Sequence, residues 1–152
     1  MAEIVIVVVG PTCSGKTNLS LILSELIPSE IISADSRQFY KYLNIGTAKP
    51  SKEQLLKAPH HLIDFLDPSE KYDVSLFEKD ADKIIDLIHK KNKLPIVVGG
   101  SGLYIKALID GIFETTDKDE EYRKELLQKR KEFGNESLYE ELKKNVASNS
   151  SD

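Results

Sequence analysis

The feature that most constrains this chain is GPTCSGKT, Gly10 to Thr17, set directly behind the β-branched run Ile4 to Val9. Such a run predicts a strand buried on both faces, as in a parallel sheet. Behind the loop, Leu19, Ile22, Leu23 and Leu26 recur at helical spacing until Pro28 stops the pattern. Strand, glycine loop and helix thus follow in the order that a phosphate-binding loop requires. Gly10 and Gly15 let the backbone turn its amides inward, and the helix N-terminus adds partial positive charge. Lys16 supplies an ammonium to the terminal phosphate, and the Thr17 hydroxyl is placed to coordinate magnesium. Cys13, inside the loop, reads as a small side chain at a turn position, without a redox role. The loop specifies phosphate and magnesium but not what else the phosphate carries.

The pattern then repeats. Glu30 to Ala34 (EIISA) predicts a second strand, ending in the polar run Asp35-Ser36-Arg37-Gln38. Ser51 and Gln54 form a capping box for a short helix with Leu55 and Leu56, and His61 to Leu66 is a weaker strand candidate ended by Asp67-Pro68. Ser75 and Glu78 read as another capping box, before a stripe of Phe77, Ala81, Ile84, Ile85 and Ile88. Pro95 to Val98 predicts a buried strand, followed by Gly99-Gly100-Ser101-Gly102 and an apolar helix through Leu103, Tyr104 and Leu108 to Gly111. Strands alternating with helices imply an α/β fold, a parallel sheet flanked by helices on both faces, with ligands at the carboxyl ends of the strands.

After Gly111 the character changes. Asp119 to Phe133 predicts a charged helix with Tyr122, Leu126 and Phe133 on one side, Gly134 a stop, and Asn135 to Lys144 a second helix. The expected organisation is a catalytic core over 1–112, a helical appendage over 113–146 and a disordered tail over 147–152.

Composition narrows the partners. At 152 residues the chain fits one core, and its net charge of −4 supplies no global basic field for nucleic acid. Any polyanion must meet a local patch, and the basic residues around Arg123, Lys124 and Lys129 to Lys131 alternate with glutamates like a solvated helix face. No apolar run approaches the roughly 20 residues that span a bilayer. One cysteine excludes an internal disulfide, so a reducing, cytoplasmic setting is expected, with the chain a monomer. His60 and His61 are adjacent and cannot share a face of a strand, which argues against a metal site and for structural roles. Asp35, ending the second strand, faces the same cleft as the loop, where it could hold metal through water, accept a proton or cap a turn.

Behind GPTCSGKT stand, in order, ADSRQ (Ala34 to Gln38), IGTAKP (Ile45 to Pro50), PHHLID (Pro59 to Asp64) and VVGGSGLY (Val97 to Tyr104). Together these motifs resemble the tRNA dimethylallyltransferase family, the tRNA isopentenyltransferases, from about residue 3 to about residue 144, which is the N-terminal half of such proteins. The resemblance implies a P-loop NTPase-like core with part of a helical insertion domain that touches tRNA. It implies transfer of a dimethylallyl group from dimethylallyl diphosphate to N6 of adenosine 37, beside the anticodon. By the family pattern the loop residues Gly10, Pro11, Thr12, Cys13, Ser14, Gly15, Lys16 and Thr17 cradle the donor's diphosphate, and Thr17 helps place Mg2+. Lys16 stabilises the departing pyrophosphate, and Asp35 is the general base that takes the amine proton. Asp35, Ser36, Arg37 and Gln38, with Ser101 and Arg123, match the positions that contact the tRNA anticodon loop. Ser101 stands where threonine is commoner, Phe39 replaces a smaller apolar residue, and family members are considerably longer.

Three alternatives remain open at this level. A relative that prenylates free adenine nucleotides would share these motifs, although ADSRQ leans toward tRNA. A small P-loop kinase would share the loop and Asp35, but a lid arginine pair is missing and Gly99 ends the strand where an acidic residue is expected. A non-catalytic fragment would bind a diphosphate or nothing.

Overall fold

The computed structural model describes residues 4–111 and 119–149. In chain order the elements are β1 (Ile6–Val9), α1 (Lys16–Leu26), β2 (Ser29–Ser33), α2 (Lys52–Lys57), β3 (His60–His61), α3 (Val74–Lys90), β4 (Leu94–Gly99), α4 (Gly102–Asp110) and α5 (Glu120–Asn149). The four strands form one sheet in the order β1-β4-β2-β3, and every neighbouring pair is parallel. The expected parallel α/β architecture is what forms. The chain divides into two compact units, Met1–Ile112 and Phe113–Asp152. No described helix is long and apolar enough to cross a membrane.

Strand alternation separates two cores. Ile32, Ala34 and Val97 point to one face, where Phe77, Ala81 and Ile88 of α3 and Ile105 of α4 cover them. Ile31 and Ile96 point to the other face, with Leu21 of α1 and Ala58 after α2. The α3 stripe packs as its spacing predicts. Its start differs: the cap is Asp73, whose Oδ1 accepts the N–H groups of Ser75 (3.1 Å) and Leu76 (3.1 Å), rather than a box built on Ser75. An upstream aspartate satisfies two orphan amides at once, so the helix begins at Val74 and Ser75 lies inside it. At α2 the expected box is present, with reciprocal bonds between Ser51 and Gln54.

Four expectations fail. Among the described residues β1 is an edge strand that pairs with β4 alone, so it is half-buried rather than buried on both faces, and Val9 is exposed. On α1 the buried residues are Ser20 and Leu21, while Leu19, Ile22 and Leu26 face out. Ser20 tolerates burial because its hydroxyl donates to the Thr17 carbonyl at 2.8 Å. The predicted strand from His61 to Leu66 reduces to His60–His61 plus an isolated bridge from Tyr40 to Leu66, because Leu62 and Asp64 take positive φ and turn the chain. The tail expected to be disordered from residue 147 is helical to Asn149, since extending an existing helix adds one bond per residue fixed, and residues 150–152 lie outside the described ones. Within α5, Gly134 (φ 78°, ψ 176°) breaks the helix where a stop is expected.

At the opposite end of the strands from the glycine loop, β2 buries the carboxylate of Glu30. It accepts hydrogen bonds from His61 Nε2 (2.7 Å), Lys93 Nζ (3.0 Å) and Lys91 Nζ (3.1 Å), tying β3 and the α3–β4 turn to the central strand. Burial alone would raise its pKa, but these bonds outweigh burial and hold it down to about 2. A carboxyl depressed from its unfolded value of 4.5 contributes stability that is complete above that value and lost as pH falls toward 2. Glu30→Gln is therefore expected to cost about 1.5–3 kcal/mol at neutral pH. Urea titrations across that acid range should show a shallower loss of stability for the variant than for the parent; parallel curves would remove Glu30 as the acid-sensitive group.

Candidate functional site

Gly15 (φ 86°) stands at the N-terminus of α1, and no side chain caps that helix. Its first amides are left to an anion, as a phosphate loop requires. Cys13 is exposed and takes a φ of 65° at its turn position. The Lys16 ammonium curls over the loop, donating to the carbonyls of Gly10 (2.8 Å) and Pro11 (2.6 Å). Phosphate oxygens would give it charged acceptors in place of neutral ones, which are the stronger partners.

The loop GGSG lies against this one. A Cβ at Gly100 would meet the Gly10 carbonyl oxygen at 3.3 Å, and one at Gly99 would fall 2.1 Å from the Ala34 carbonyl oxygen. Here the ends of β2 and β4 are joined by the Ala34 N–H donating to the Val98 carbonyl at 2.8 Å. A side chain at 99 is thus excluded by backbone, which accounts for glycine where a kinase would end the strand in an acid. Ser101 precedes α4 without capping it; its hydroxyl instead accepts the N–H of Ser36 at 3.2 Å. Asp35 Oδ1 accepts the N–H of Arg37 at 3.0 Å, closing a turn that presents the carboxylate at the strand's end.

These loops enclose a cleft of about 260 Å³, with Thr12 to Thr17 on one wall and Asp35, Gln38 and Gly99 beside them. The rest of its lining sets Ile31, Ala48, Pro50, Ile63 and Val98 beside the polar Asn18, Ser20, Ser33 and His60. The expected residues Lys16, Thr17, Asp35 and Gln38 therefore meet in one space. Ser36, Arg37 and Ser101 adjoin it without lining it, and Arg123 belongs to the second unit, exposed on α5. Among the described residues, no three His, Cys, Asp or Glu side chains gather as a metal site.

His60 also lines the cleft, a placement that its sequence does not disclose. As adjacent strand residues the two histidines face opposite ways: His61 bonds Glu30, whereas His60 Nδ1–H donates to the Ala58 carbonyl at 2.7 Å. Burial lowers the His60 pKa, against that bond, and keeps the ring neutral at physiological pH. Only the pairing of Ile31 with His60 reveals this position, and that register requires the sheet order. Gln38 is equally informative. Its Nε2 donates to the carbonyls of Thr47 (3.3 Å) and Ala48 (3.2 Å), while its Oε1 accepts from Ser33 Oγ (3.1 Å), so its amide brackets the cleft wall.

Comparison with known proteins places this geometry. The model of the IPP transferase family matches residues 38–150. A tRNA dimethylallyltransferase of Thermotoga sp. (strain RQ2) is 52% identical over 120 residues, covering 79% of this chain and 39% of that protein. The full-length tRNA isopentenylpyrophosphate transferase of Bacillus halodurans superposes with a TM-score of 0.73 at 41% identity, covering 94% of this chain and 48% of that one. A eukaryotic dimethylallyltransferase, described as acting on tRNA, superposes with a TM-score of 0.66 at 36% identity, covering 75% and 30%. The chain spans less than half the length of each of these relatives. With most of its residues matched by the family model and its fold shared with solved members, the chain belongs to the IPP transferase family.

Proposed function

We propose that this chain forms the donor-binding, base-bearing part of a tRNA prenyltransferase, which moves a dimethylallyl group from its diphosphate to N6 of adenosine 37 in tRNA. The observation that carries this reading is the shared cleft: the phosphate loop, the Asp35 carboxylate and an apolar wall enclose one space of about 260 Å³. Its lining sets the phosphate loop beside Ile31, Ala48, Pro50, Ile63 and Val98, a combination that suits an apolar chain on a diphosphate. The names of the relatives point the same way.

The chemistry follows from the residues. The loop amides and Lys16 hold the diphosphate and are aimed where charge builds as the allylic C–O bond breaks. N6 of adenosine forms the new C–N bond, pyrophosphate departs with the electron pair, and the amine proton passes to Asp35. The target base must leave its stack to reach the cleft, where Ser36, Arg37 and Gln38 are the residues proposed to hold it, with Ser101 and Arg123 as further contacts to the tRNA. Mg2+ fits the donor set, because it takes one or two protein oxygens beside phosphate oxygens and water, and the Thr17 hydroxyl in the cleft is such a ligand. When bound, the ion neutralises charge on the pyrophosphate. In this reading the second unit is part of the tRNA-binding insertion, and the protein works as a cytoplasmic monomer.

Titration of the chain with dimethylallyl diphosphate, pyrophosphate and ATP, each with magnesium, tests the donor. The prenyl diphosphate is expected to bind most tightly. Prenyl transfer to tRNA rather than to AMP then tests the acceptor, and radiolabelled phosphate moving from ATP to a nucleoside would replace the proposal with a kinase.

A further inference from the structure

The motif IGTAKP is used by none of the steps above, yet it contributes Ala48 and Pro50 to the cleft wall. Between them stands Lys49, whose side chain is only 4% exposed. An ammonium has three donors, and here each has an acceptor: the Tyr40 carbonyl (2.9 Å), Asn44 Oδ1 (3.2 Å) and the Asp64 carboxylate. All three Lys49 donors are thereby engaged by protein groups. Asp64, at the other end of this ion pair, adjoins Ile63, which lines the cleft from the segment after β3. One ion pair thus joins two loops, and the residues flanking it in sequence, Ala48, Pro50 and Ile63, supply three of the five apolar residues that line the cleft. Both loops hold non-glycine residues at positive φ: Tyr42 (67°) and Ala48 (48°) in one, Leu62 (57°) and Asp64 (53°) in the other. Such conformations persist only where surrounding contacts impose them. The Gln38 bracket onto the Thr47 and Ala48 carbonyls is the second such contact.

We infer that Lys49, paired with Asp64 and assisted by Gln38, is a positioning residue that sets the apolar wall and thereby the length of hydrocarbon chain the cleft accepts. This rests on the prenyl-donor reading. Its consequence is selective: loosening the clamp should affect recognition of the hydrocarbon and spare recognition of the phosphates, which the loop and Lys16 hold on the far wall.

The test is calorimetric titration of the whole chain with magnesium and pyrophosphate, dimethylallyl diphosphate or geranyl diphosphate. For the parent chain, dimethylallyl diphosphate is expected to bind more tightly than either of the others. In Lys49→Met its advantage over pyrophosphate should fall by about tenfold, the scale of a hydrophobic-pocket discrimination, as should its advantage over the longer geranyl chain. Pyrophosphate affinity should stay within about twofold, since the loop is untouched. Asp64→Ala, which removes the other partner of the ion pair, should shift the same two ratios. The double variant should be no worse than Lys49→Met alone, because both act through one contact. Ratios unchanged in folded Lys49→Met or Asp64→Ala, or a parallel loss of pyrophosphate binding, would overturn the inference while leaving the prenyl reading intact. A parent chain with no preference for dimethylallyl diphosphate over pyrophosphate would overturn both.

Discussion

Replacing Asp35 with alanine is expected to lower prenyl transfer by about 10²–10⁴-fold, the usual contribution of a positioned general base, while pyrophosphate affinity is retained. An exocyclic amine conjugated to its ring is a poor nucleophile, so the proposed reaction would depend on a carboxylate that removes the proton as the C–N bond forms. Asp35 ends β2 beside the phosphate loop, and one oxygen is committed to the Arg37 amide. Alanine removes that turn contact as well as the base, so Asp35→Asn is the sharper test. Asparagine keeps an acceptor for Arg37 and cannot take the proton, and its rate should fall nearly as far. Transfer would be followed with radiolabelled donor and tRNA. An Asp35→Asn protein at the parental rate would show that the residue only shapes the turn.

Phe39→Ala is expected to remove about 3–5 kcal/mol of stability, the range for truncating a buried aromatic ring. Phe39 is 1% exposed and lies at the centre of a cluster, its centroid 5.8 Å from Phe65, 5.2 Å from Tyr72, 5.8 Å from Phe77 and 5.6 Å from Tyr104. Several pairs are tilted or edge-to-face, arrangements that contribute beyond buried area. Domains of this kind are stable by only about 5–15 kcal/mol, so the loss would take a large share of the total. Urea unfolding followed by far-ultraviolet circular dichroism would read it as a lower midpoint, and Phe39→Leu should retain much of the difference. A midpoint shift below that expected for an ordinary surface substitution, about 0.5 kcal/mol, would mean that the cluster refills the space. Phe39 is therefore an anchor of the core. It also follows Gln38 directly, linking core packing to the cleft's bracket.

What could be read along the chain was local. GPTCSGKT between a β-branched run and a helical stripe specifies a strand, an amide-lined turn and an uncapped helix start, because each depends on residues within a few positions. The box at Ser51 and Gln54, the α3 stripe and the break at Gly134 were legible for the same reason. Asp35 could be placed at the cleft because a parallel sheet brings the carboxyl ends of its strands together. Even locally, competition between caps decided the start of α3, where Asp73 displaced the box expected on Ser75.

What depended on the sheet order was not legible. That β1 forms an edge, that His60 rather than His61 enters the cleft, and that Glu30 is buried among His61, Lys91 and Lys93 all require contacts across 31 to 63 residues of chain or a strand order that no short pattern encodes. The proposed phosphate-binding chemistry is written in one stretch because backbone amides do that work wherever a glycine loop meets a helix. The shape of the apolar wall emerges only when Lys49 and Asp64, fifteen positions apart, are brought into contact by the turns on either side of β3.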